Sequence, residues 1–318
     1  MAYRFSLKRG VSDNARRIAL EQIERARARC DITENPETLT HDLRKYCKKL
    51  RGLARLVRSE LARQGRYADD NAFFRDTAER LGALRDAEAM IETYDKLLAR
   101  YAAEVERARV APVRSGLTRL AQRVSAGTDQ AERIDEFRAR LDEAEARVMA
   151  WRFAIDDFEG IRSGLVTTYR SGRRAMKAAF AEPTGETLHE WRKFAKYHWY
   201  HLRLLEPLWR DDLKPRRRAA RELTEILGEH HDLGLLRAHL AGKLDAGSRP
   251  AEAIATLIDR RAVELVDEAR VLGRRLYAAK PRALGAEMAR LWQARIEEIA
   301  VGKRVLPVGP TGLEPVAG

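Results

Sequence analysis

The sequence predicts an all-α protein made of two related helical halves. The helix formers Ala, Leu, Arg and Glu dominate the chain, and apolar residues recur at three- and four-residue spacing, as at Leu223, Ile226 and Leu227. Alternating patterns of β-branched and aromatic residues are scarce. A basic segment that begins at His41 recurs 148 residues later at His189, which indicates an internal repeat.

Glycine and proline positions divide the chain into about ten or eleven predicted helices. We assign residues 1–155 to the N-terminal half and residues 156–301 to the C-terminal half, with a junction near residues 150–158. Residues 302–318 contain three prolines and no helical periodicity, so a disordered tail is expected there. The predicted breaks are Gly10, Asn35-Pro36, Gly65, Ala111-Pro112, Gly127, Pro183 to Gly185, Pro207, Pro215, Gly247 to Pro250 and Pro281.

Composition narrows the class of protein. Hydrophobic residues make up 45% of the 318 residues and charged residues 34%, which excludes a wholly disordered chain and an integral membrane protein. The N-terminus has no apolar run after its first charges, so no secretory signal is expected. Two cysteines, Cys30 and Cys47, are too few for a disulfide framework or a structural zinc site. We therefore expect a cytoplasmic protein with no membrane partner.

The positive charge is concentrated in two segments. The net charge is +13, of which residues 41–66 carry +7 and residues 161–218 carry +8, so the remaining residues together carry −2. A solvated surface without a partner would spread this excess more evenly along the chain. Two concentrated basic segments predict an anionic partner.

Each segment places its charges on one face of a helix. At about 100° per residue, the charged residues share one arc and residues such as Leu43 and Leu50, or Trp191 and Leu202, lie opposite. Like charges one turn apart destabilise a helix, so the duplication of this pattern suggests binding rather than a solvated face. The first basic strip consists of His41, Arg44, Lys45, Lys48 and Arg55, and the second consists of His189, Arg192, Lys193, Lys196 and Arg203, with Tyr200 on the same arc.

The first residue of each strip is a histidine. Thr38, Thr40 and Thr187 are possible caps that would place His41 and His189 near helix N-termini. Free backbone N–H groups and the helix dipole favour an anion there, and an anion would in turn favour imidazolium. A purely structural, hydrogen-bonded histidine is the alternative at both positions.

A third basic group precedes the second strip. It contains Tyr169, Arg173 and Arg174, and Tyr169, Arg173 and Lys177 share one side of a helix. Arginine suits phosphate because its planar guanidinium binds two oxygens at once.

Taken together, these segments resemble the CHAD domain (conserved histidine α-helical domain) family. The resemblance rests on the two H-x-x-R-K-x-x-K strips, the segment Thr168 to Arg174, and two L-G-x-x-x-D turns at Leu81–Asp86 and Leu227–Asp232. It implies two four-helix bundles related by internal pseudo-twofold symmetry, with a central basic cavity or pore. It also implies binding of inorganic polyphosphate, often at polyphosphate granules. The residues that it implies as polyphosphate ligands are His41, Arg44, Lys45, Lys48, Arg55, Tyr169, Arg173, Arg174, His189, Arg192, Lys193, Lys196 and Arg203.

The two strips also differ from each other. Arg51 lies at the edge of the first strip, and its counterpart in the second is Trp199. The site is therefore expected to be more aromatic on its second side. Many relatives carry an N-terminal triphosphate tunnel domain with an E-x-E-x-K signature, which this sequence lacks, so that domain's hydrolase activity is not expected.

Two other functions compete with polyphosphate binding. A nucleic-acid binder could stack bases on Trp199 and Tyr200, but aromatic residues total only 7% and no nucleic-acid motif is present. A metal-dependent phosphohydrolase could use His230, His231 and Asp232. The first repeat lacks matching metal ligands, and no nucleophile–base pair is evident. We expect a non-enzymatic binding module without metal or cofactor.

Overall fold

The computed structural model describes residues 3–32, 36–126, 130–243 and 248–305, and these ranges contain helices and turns but no β-strand. The predicted all-α class is therefore confirmed. A single 3₁₀ turn, Glu206–Leu208, separates α9 from α10. The α-helices of the described residues are α1 (Val11–Cys30), α2 (Pro36–Leu56), α3 (Arg58–Arg63), α4 (Tyr67–Glu79), α5 (Gly82–Arg100), α6 (Arg107–Ala126), α7 (Gln130–Met149), α8 (Glu159–Ala181), α9 (Gly185–Leu205), α10 (Arg210–Lys243), α11 (Arg249–Leu276) and α12 (Pro281–Val305).

Helices α2 and α9 lie at the centre of the packing. In the first half α2 packs against α1, α4 and α5, and in the second α9 packs against α8 and α10. These two central helices also contact each other. Where they meet, a Cβ on Gly52 would lie 3.0 Å from the Tyr200 ring, and His201 Nε2 lies 3.0 Å from the Gly52 carbonyl oxygen. The small residue at position 52 thus permits close approach of the helices that carry the two basic strips.

One hydrophobic core runs through both halves. The N-terminal segment contributes to it, since the Tyr3 ring packs edge-on against Tyr200 and the Phe5 amide donates a hydrogen bond to the Leu204 carbonyl oxygen at 2.9 Å. The segment between α7 and α8, residues 150–158, lies where the sequence predicts the junction. Its Asp156 carboxylate accepts a hydrogen bond from the Ser12 amide at 2.6 Å, at the N-terminus of α1. The junction therefore also helps to start the first helix.

A buried arginine joins α10 and α11 away from the central helices. The Arg261 side chain is 7% exposed and lies within 3.0 Å of carboxylates on Glu229, Glu264 and Glu268. Arg100 of α5 reaches the same Glu264 at 2.7 Å. The shared Glu264 carboxylate thus links α5 to α11, and the buried charge of Arg261 has the partners that it requires.

Several predicted boundaries are wrong. Pro112 and Pro215 each lie at the sixth position of a helix, α6 and α10, where a missing N–H removes only one intrahelical hydrogen bond. The chain instead breaks at residues 101–106, which contain neither glycine nor proline. Helix α12 extends to Val305, so residues 302–305 are helical, and the rest of the predicted tail lies outside the described residues. No helix of the described ranges is long and apolar enough to cross a membrane.

Candidate functional site

The apolar faces of α2 and α9 fix the direction of their charged faces. Leu43, Cys47 and Leu50 on α2 are at most 2% exposed, and Trp191 and Leu202 on α9 are at most 1% exposed. The predicted division of each helix into a core face and a basic face is confirmed. Because the apolar residues of both helices are buried in the core, each basic strip faces away from the core along its length.

The two basic strips face a common cavity of about 500 Å³. Among its described lining residues are ten lysines and arginines, three histidines and one carboxylate. Such an excess of one charge attracts anions strongly, since the cavity walls limit screening by solvent. The lining residues are His41, Arg44, Lys45, Lys48, Lys49, Arg51, Arg75, Ala78, Glu79, His189, Arg192, Lys193, Lys196, Tyr197, Trp199, Tyr200, Arg203 and His231.

Three cations lie deep in the site, namely Lys48, Arg192 and Lys196. Among the carboxylates whose side chains the structure describes, which leaves out residues 82–86, none lies within 4.0 Å of their charged nitrogens. At the edge of the cavity, by contrast, Lys45 pairs with Asp42 at 3.8 Å and Lys193 pairs with Glu190. The interior charge is therefore available to a ligand, whereas part of the outer charge is balanced by the protein.

The close packing of cations in the cavity lowers the pKa of three lysines. These are Lys48, Lys49 and Lys196, called the cavity lysines below. Burial first, and neighbouring cations second, together lower the pKa of each from 10.5 to about 8. The largest such neighbour is Arg44 for Lys48, Arg203 for Lys49 and Arg192 for Lys196. A bound anion would oppose both causes and would raise these pKa values again.

Aromatic rings support several of the cations. The Lys196 ammonium lies 4.5 Å from the centre of the Trp199 ring and 5.7 Å from that of Tyr200. On the other side of the cavity the Arg55 guanidinium lies 4.3 Å from the centre of the Tyr197 ring. These distances are those of cation–π interactions, which hold a charge in place without neutralising it.

Two histidines meet at one end of the cavity. The ring centres of His189 and His231 are 4.8 Å apart. Burial and then Arg192 lower the pKa of both, to about 4 for His231, so both rings are neutral near pH 7 in the ligand-free protein. Each ring then keeps an acceptor nitrogen, and a nearby anion would favour its protonation.

The predicted caps are wrong for α2, whereas in α9 Thr187 belongs to the capping box although it is not the N-cap residue. Helix α9 begins at Gly185 with Thr184 as its N-cap, and the Thr184 hydroxyl accepts a hydrogen bond from the Thr187 amide at 3.2 Å. His189 is thus the fifth residue of its helix. Helix α2 begins at Pro36, so Thr38 and Thr40 lie inside it and His41 is its sixth residue. Both histidines therefore lie near an N-terminus but beyond its first turn.

The segments predicted as L-G-x-x-x-D turns are helical. Leu227–Asp232 lies within α10, and the first copy runs from Leu81 into the start of α5. Gly228 has a different role from a turn residue, because a Cβ there would lie 3.3 Å from the Arg192 guanidinium. One turn later, the negative charge of Asp232 partly opposes the lowering of the Arg192 pKa by burial. Gly228 and Asp232 thus accommodate Arg192 beside α10.

The structure gathers nine of the thirteen predicted ligands around the cavity. The four others lie outside its lining, and one of them, Arg55, stacks on Tyr197 at the cavity's edge. The nine are His41, Arg44, Lys45, Lys48, His189, Arg192, Lys193, Lys196 and Arg203.

The third basic group is not part of the cavity. The Tyr169 hydroxyl donates a hydrogen bond to the Ala279 carbonyl oxygen at 3.0 Å, and Arg173 Nε donates to the Tyr277 carbonyl oxygen at 3.1 Å. These donors satisfy carbonyls that follow the end of α11. Arg174 is exposed to solvent on α8. Tyr169, Arg173 and Arg174 therefore do not line this cavity, and their role as polyphosphate ligands stays a prediction.

Several lining residues are missing from the predicted ligands. The sequence already places Arg51 and Trp199 at equivalent positions at the edge of the strips, and Tyr200 beside the second strip, but none of them is among the predicted ligands. Arg75 lies on α4 and carries no signal of a site in the sequence. The set also includes Lys49, Tyr197 and His231.

Comparisons with known proteins agree with this architecture. A crystal structure of the CHAD domain from the plant Ricinus communis superimposes with a TM-score of 0.56 over 86% of this chain and 95% of that chain, at 18% sequence identity. At that identity the similarity concerns the fold alone. No curated protein sequence matches the chain. The family model of the CHAD domain matches residues 15–241, which is well over half of the chain, and the chain therefore belongs to the CHAD domain family.

Proposed function

We propose that this protein binds inorganic polyphosphate, without catalysis, in a central basic pore between two pseudo-symmetric helical bundles. The observation that carries the proposal is the cavity itself, where Lys48, Arg192 and Lys196 present charge from both halves to the same space. Polyphosphate is a flexible chain of closely spaced negative charges. It matches a cavity that offers many donors and little counter-charge.

The contact between α2 and α9 supports pseudo-twofold symmetry, because equivalent residues of the two helices meet there. Gly52 and Tyr200 are equivalent in the internal repeat, since they are separated by the same 148 residues as His41 and His189. They are also in contact with each other. Contact between equivalent positions is what a twofold axis between two copies produces. On this arrangement the axis passes near Gly52, and the two strips flank it.

A polyanion without bases fits better than a nucleic acid. A base would need a free aromatic face on which to stack. Cations of the protein already lie over the rings of the cavity, with Lys196 over Trp199 and Arg55 over Tyr197. Stacking of bases would displace these cations from rings that hold them, and polyphosphate needs no such displacement.

The lining residues favour binding over hydrolysis. Hydrolysis of a phosphoanhydride needs a positioned base or a metal ligand set, and carboxylates usually supply both. Glu79 is the carboxylate of the described lining, and it lies 3.8 Å from Arg75 at the edge of the cavity. We therefore propose a binding module, and attachment to polyphosphate granules is a natural use of such a module.

The proposal is tested with a double variant, Arg44→Ala plus Arg192→Ala. The double variant removes one arginine from each strip. Polyphosphate affinity should fall by at least about 100-fold, as expected for the loss of two charge-assisted contacts. The control, Arg119→Ala plus Arg123→Ala, removes two exposed arginines of α6 and should leave affinity unchanged. Circular dichroism should show the same helicity for both variants.

Single-stranded RNA of matched charge serves as the competing ligand. Tighter binding of polyphosphate than of this RNA at physiological salt supports the proposal. Equal affinity for the two polymers, or unchanged polyphosphate affinity in the Arg44/Arg192 variant, contradicts it.

A further inference from the structure

A second basic surface lies outside the cavity, where the C-terminal part of α8 meets the end of α11. The Tyr169 hydroxyl and the Arg173 guanidinium of α8 donate hydrogen bonds to carbonyl oxygens just beyond α11. These bonds join residues 168–181 to residues 271–286, and the two segments contain eight lysines and arginines but no aspartate or glutamate. Seven of these cations are exposed to solvent and form the outer basic surface, namely Arg170, Arg174, Lys177, Arg274, Arg275, Lys280 and Arg282.

The protein leaves the charges of the outer basic surface unbalanced. Of the carboxylates in the described side chains, none lies within 4.0 Å of a charged nitrogen of this surface. Exposed arginines on other helices do have such partners, since Arg114 lies 2.8 Å from Asp95 and Arg260 lies 2.8 Å from Glu104. None of the seven cations belongs to the lining of the cavity. The surface is therefore a separate region of positive charge.

The row of cations on α8 has no structural explanation within the helix. Arg170, Arg174 and Lys177 follow one another at four- and three-residue spacing, so they lie one turn apart on the same side, where like charges destabilise a helix. Arg274 and Arg275 lie in the last turn of α11, where the helix dipole favours cations. The last turn of α8, by contrast, follows the row and contains no basic residue. An external anion would offset the repulsion along α8.

The composition of the outer basic surface favours a partner with phosphate groups. Five of its seven cations are arginines, whose planar guanidinium pairs with two phosphate oxygens at once. The centres of protein–protein interfaces are depleted of charged residues, so a surface made of charges is not typical of a protein partner. A membrane-binding helix inserts large apolar side chains, and the two segments expose one such residue, Val271.

The aromatic residues of the two segments distinguish double-stranded from single-stranded nucleic acid. Single strands are bound by stacking of their bases on accessible aromatic rings. Tyr169 and Tyr277 are each 1% exposed, and the Arg274 guanidinium lies 5.7 Å from the centre of the partly buried Phe180 ring. A duplex stacks its bases internally and presents about one negative charge per 1.7 Å of its axis, so cations alone can hold it.

We propose that the outer basic surface binds the phosphate backbone of double-stranded nucleic acid without reading its sequence. This site goes beyond the proposed function, because it shares no residue with the lining of the cavity. One molecule can therefore hold a duplex on its outside and a polyphosphate chain in its cavity. The expected dissociation constant is that of non-specific binding, about 10⁻⁶ to 10⁻⁴ M at physiological salt.

The test measures fluorescence anisotropy of a labelled DNA duplex of arbitrary sequence with the full chain at several salt concentrations. The outer-surface variant combines Arg170→Gln, Arg174→Gln and Lys177→Gln, which removes like charges from exposed positions and should preserve the fold. Its duplex affinity should fall by at least about 10-fold. The slope of the logarithm of affinity against the logarithm of salt concentration should decrease in magnitude by about 2.7, or about 0.9 for each lost phosphate contact.

Two control variants separate this surface from net charge and from the cavity. The first, Arg107→Gln plus Arg119→Gln plus Arg123→Gln, removes the same charge from exposed positions on α6. It should leave the duplex affinity and the salt slope nearly unchanged, because salt screens distant surface charges. The Arg44→Ala plus Arg192→Ala variant described above should also keep its duplex affinity.

Four outcomes would overturn the proposal. An equal loss of duplex affinity in the α6 control would show that binding follows net charge alone. A greater loss in the Arg44/Arg192 variant would place the duplex in the cavity. Tighter binding of single-stranded DNA of matched charge would exclude a site for duplexes. Binding of the folded protein to vesicles with anionic phospholipid, without binding to the duplex, would assign the surface to a membrane.

Discussion

The crowding of cations predicts that removal of one of them stabilises the ligand-free protein. We choose Lys48→Met, because methionine keeps much of the lysine's apolar stem and removes its charge. The pKa of Lys48 is lowered from 10.5 to about 8, so its charged form is less stable in the folded chain than in the unfolded chain. At about 1.4 kcal/mol per pKa unit this difference sets an upper limit of about 3 kcal/mol. Partial exposure and salt reduce the expected gain to roughly 1 kcal/mol.

The pH dependence gives this prediction a clear sign. Below pH 8 Lys48 is charged in both the folded and the unfolded chain, so the full cost of its charge is present and Lys48→Met is the more stable protein. Between about pH 8 and pH 10.5 the folded lysine loses its proton before the unfolded one does, and the wild-type protein recovers stability. The advantage of the variant should therefore shrink over this range.

Urea unfolding at low salt measures the effect, with an increase of about 2 °C in the melting temperature as a second readout. The control is Lys96→Met, which removes an exposed lysine whose side chain is 76% accessible and lies 4.0 Å from Glu92. Its free energy of unfolding should change by less than about 0.5 kcal/mol. A Lys48→Met protein that is folded but less stable than wild type at pH 7 would refute the account of a self-repelling cavity.

Two further predictions concern ligand binding. Polyphosphate affinity should fall as pH rises from 7 to about 9.5, because the cavity lysines, with pKa values of about 8, lose their charge over this range. Isothermal titration calorimetry at several pH values measures this decrease. An affinity that does not change with pH would contradict the assigned ligands. Gly228→Val should weaken polyphosphate binding by about 10-fold, because the valine side chain would displace the Arg192 guanidinium, which lies 3.3 Å from a Cβ at this position. An affinity close to that of the wild type, measured by the same titration, would show that Gly228 does not position Arg192 for binding.

The sequence was sufficient to predict the helices that form the site and the direction of their charged faces. This succeeded because the pattern is local: residues such as Leu43 and Leu50 alternate with Arg44 and Lys48 at the period of a helix, so burial of one face exposes the other. The internal repeat added the second strip. Nine of the thirteen predicted ligands line one cavity, and their binding of polyphosphate stays a prediction.

The surroundings of other residues could not be predicted from the sequence, because they depend on contacts between segments that are far apart in the chain. Tyr169 and Arg173 have the composition of a phosphate site, but their donors satisfy carbonyls near the end of α11, more than 100 residues away in the chain. No local pattern reveals such a partner. In the same way, Arg75 joins the cavity only because α4 packs beside α2. Propensity alone also misplaced the breaks at Pro112 and Pro215, since each proline lies beyond the first turn of a helix that continues through it despite the lost hydrogen bond.

The central claim is that equivalent cationic faces of α2 and α9 enclose one chain of phosphates. A crystal structure of the protein with bound polyphosphate tests this claim most directly. The account predicts continuous density for phosphate units in the cavity, within hydrogen-bond distance of Arg44, Lys48 and Arg192. Phosphate density on the outer surface of α8 near Arg174, with no phosphate in the cavity, would contradict it.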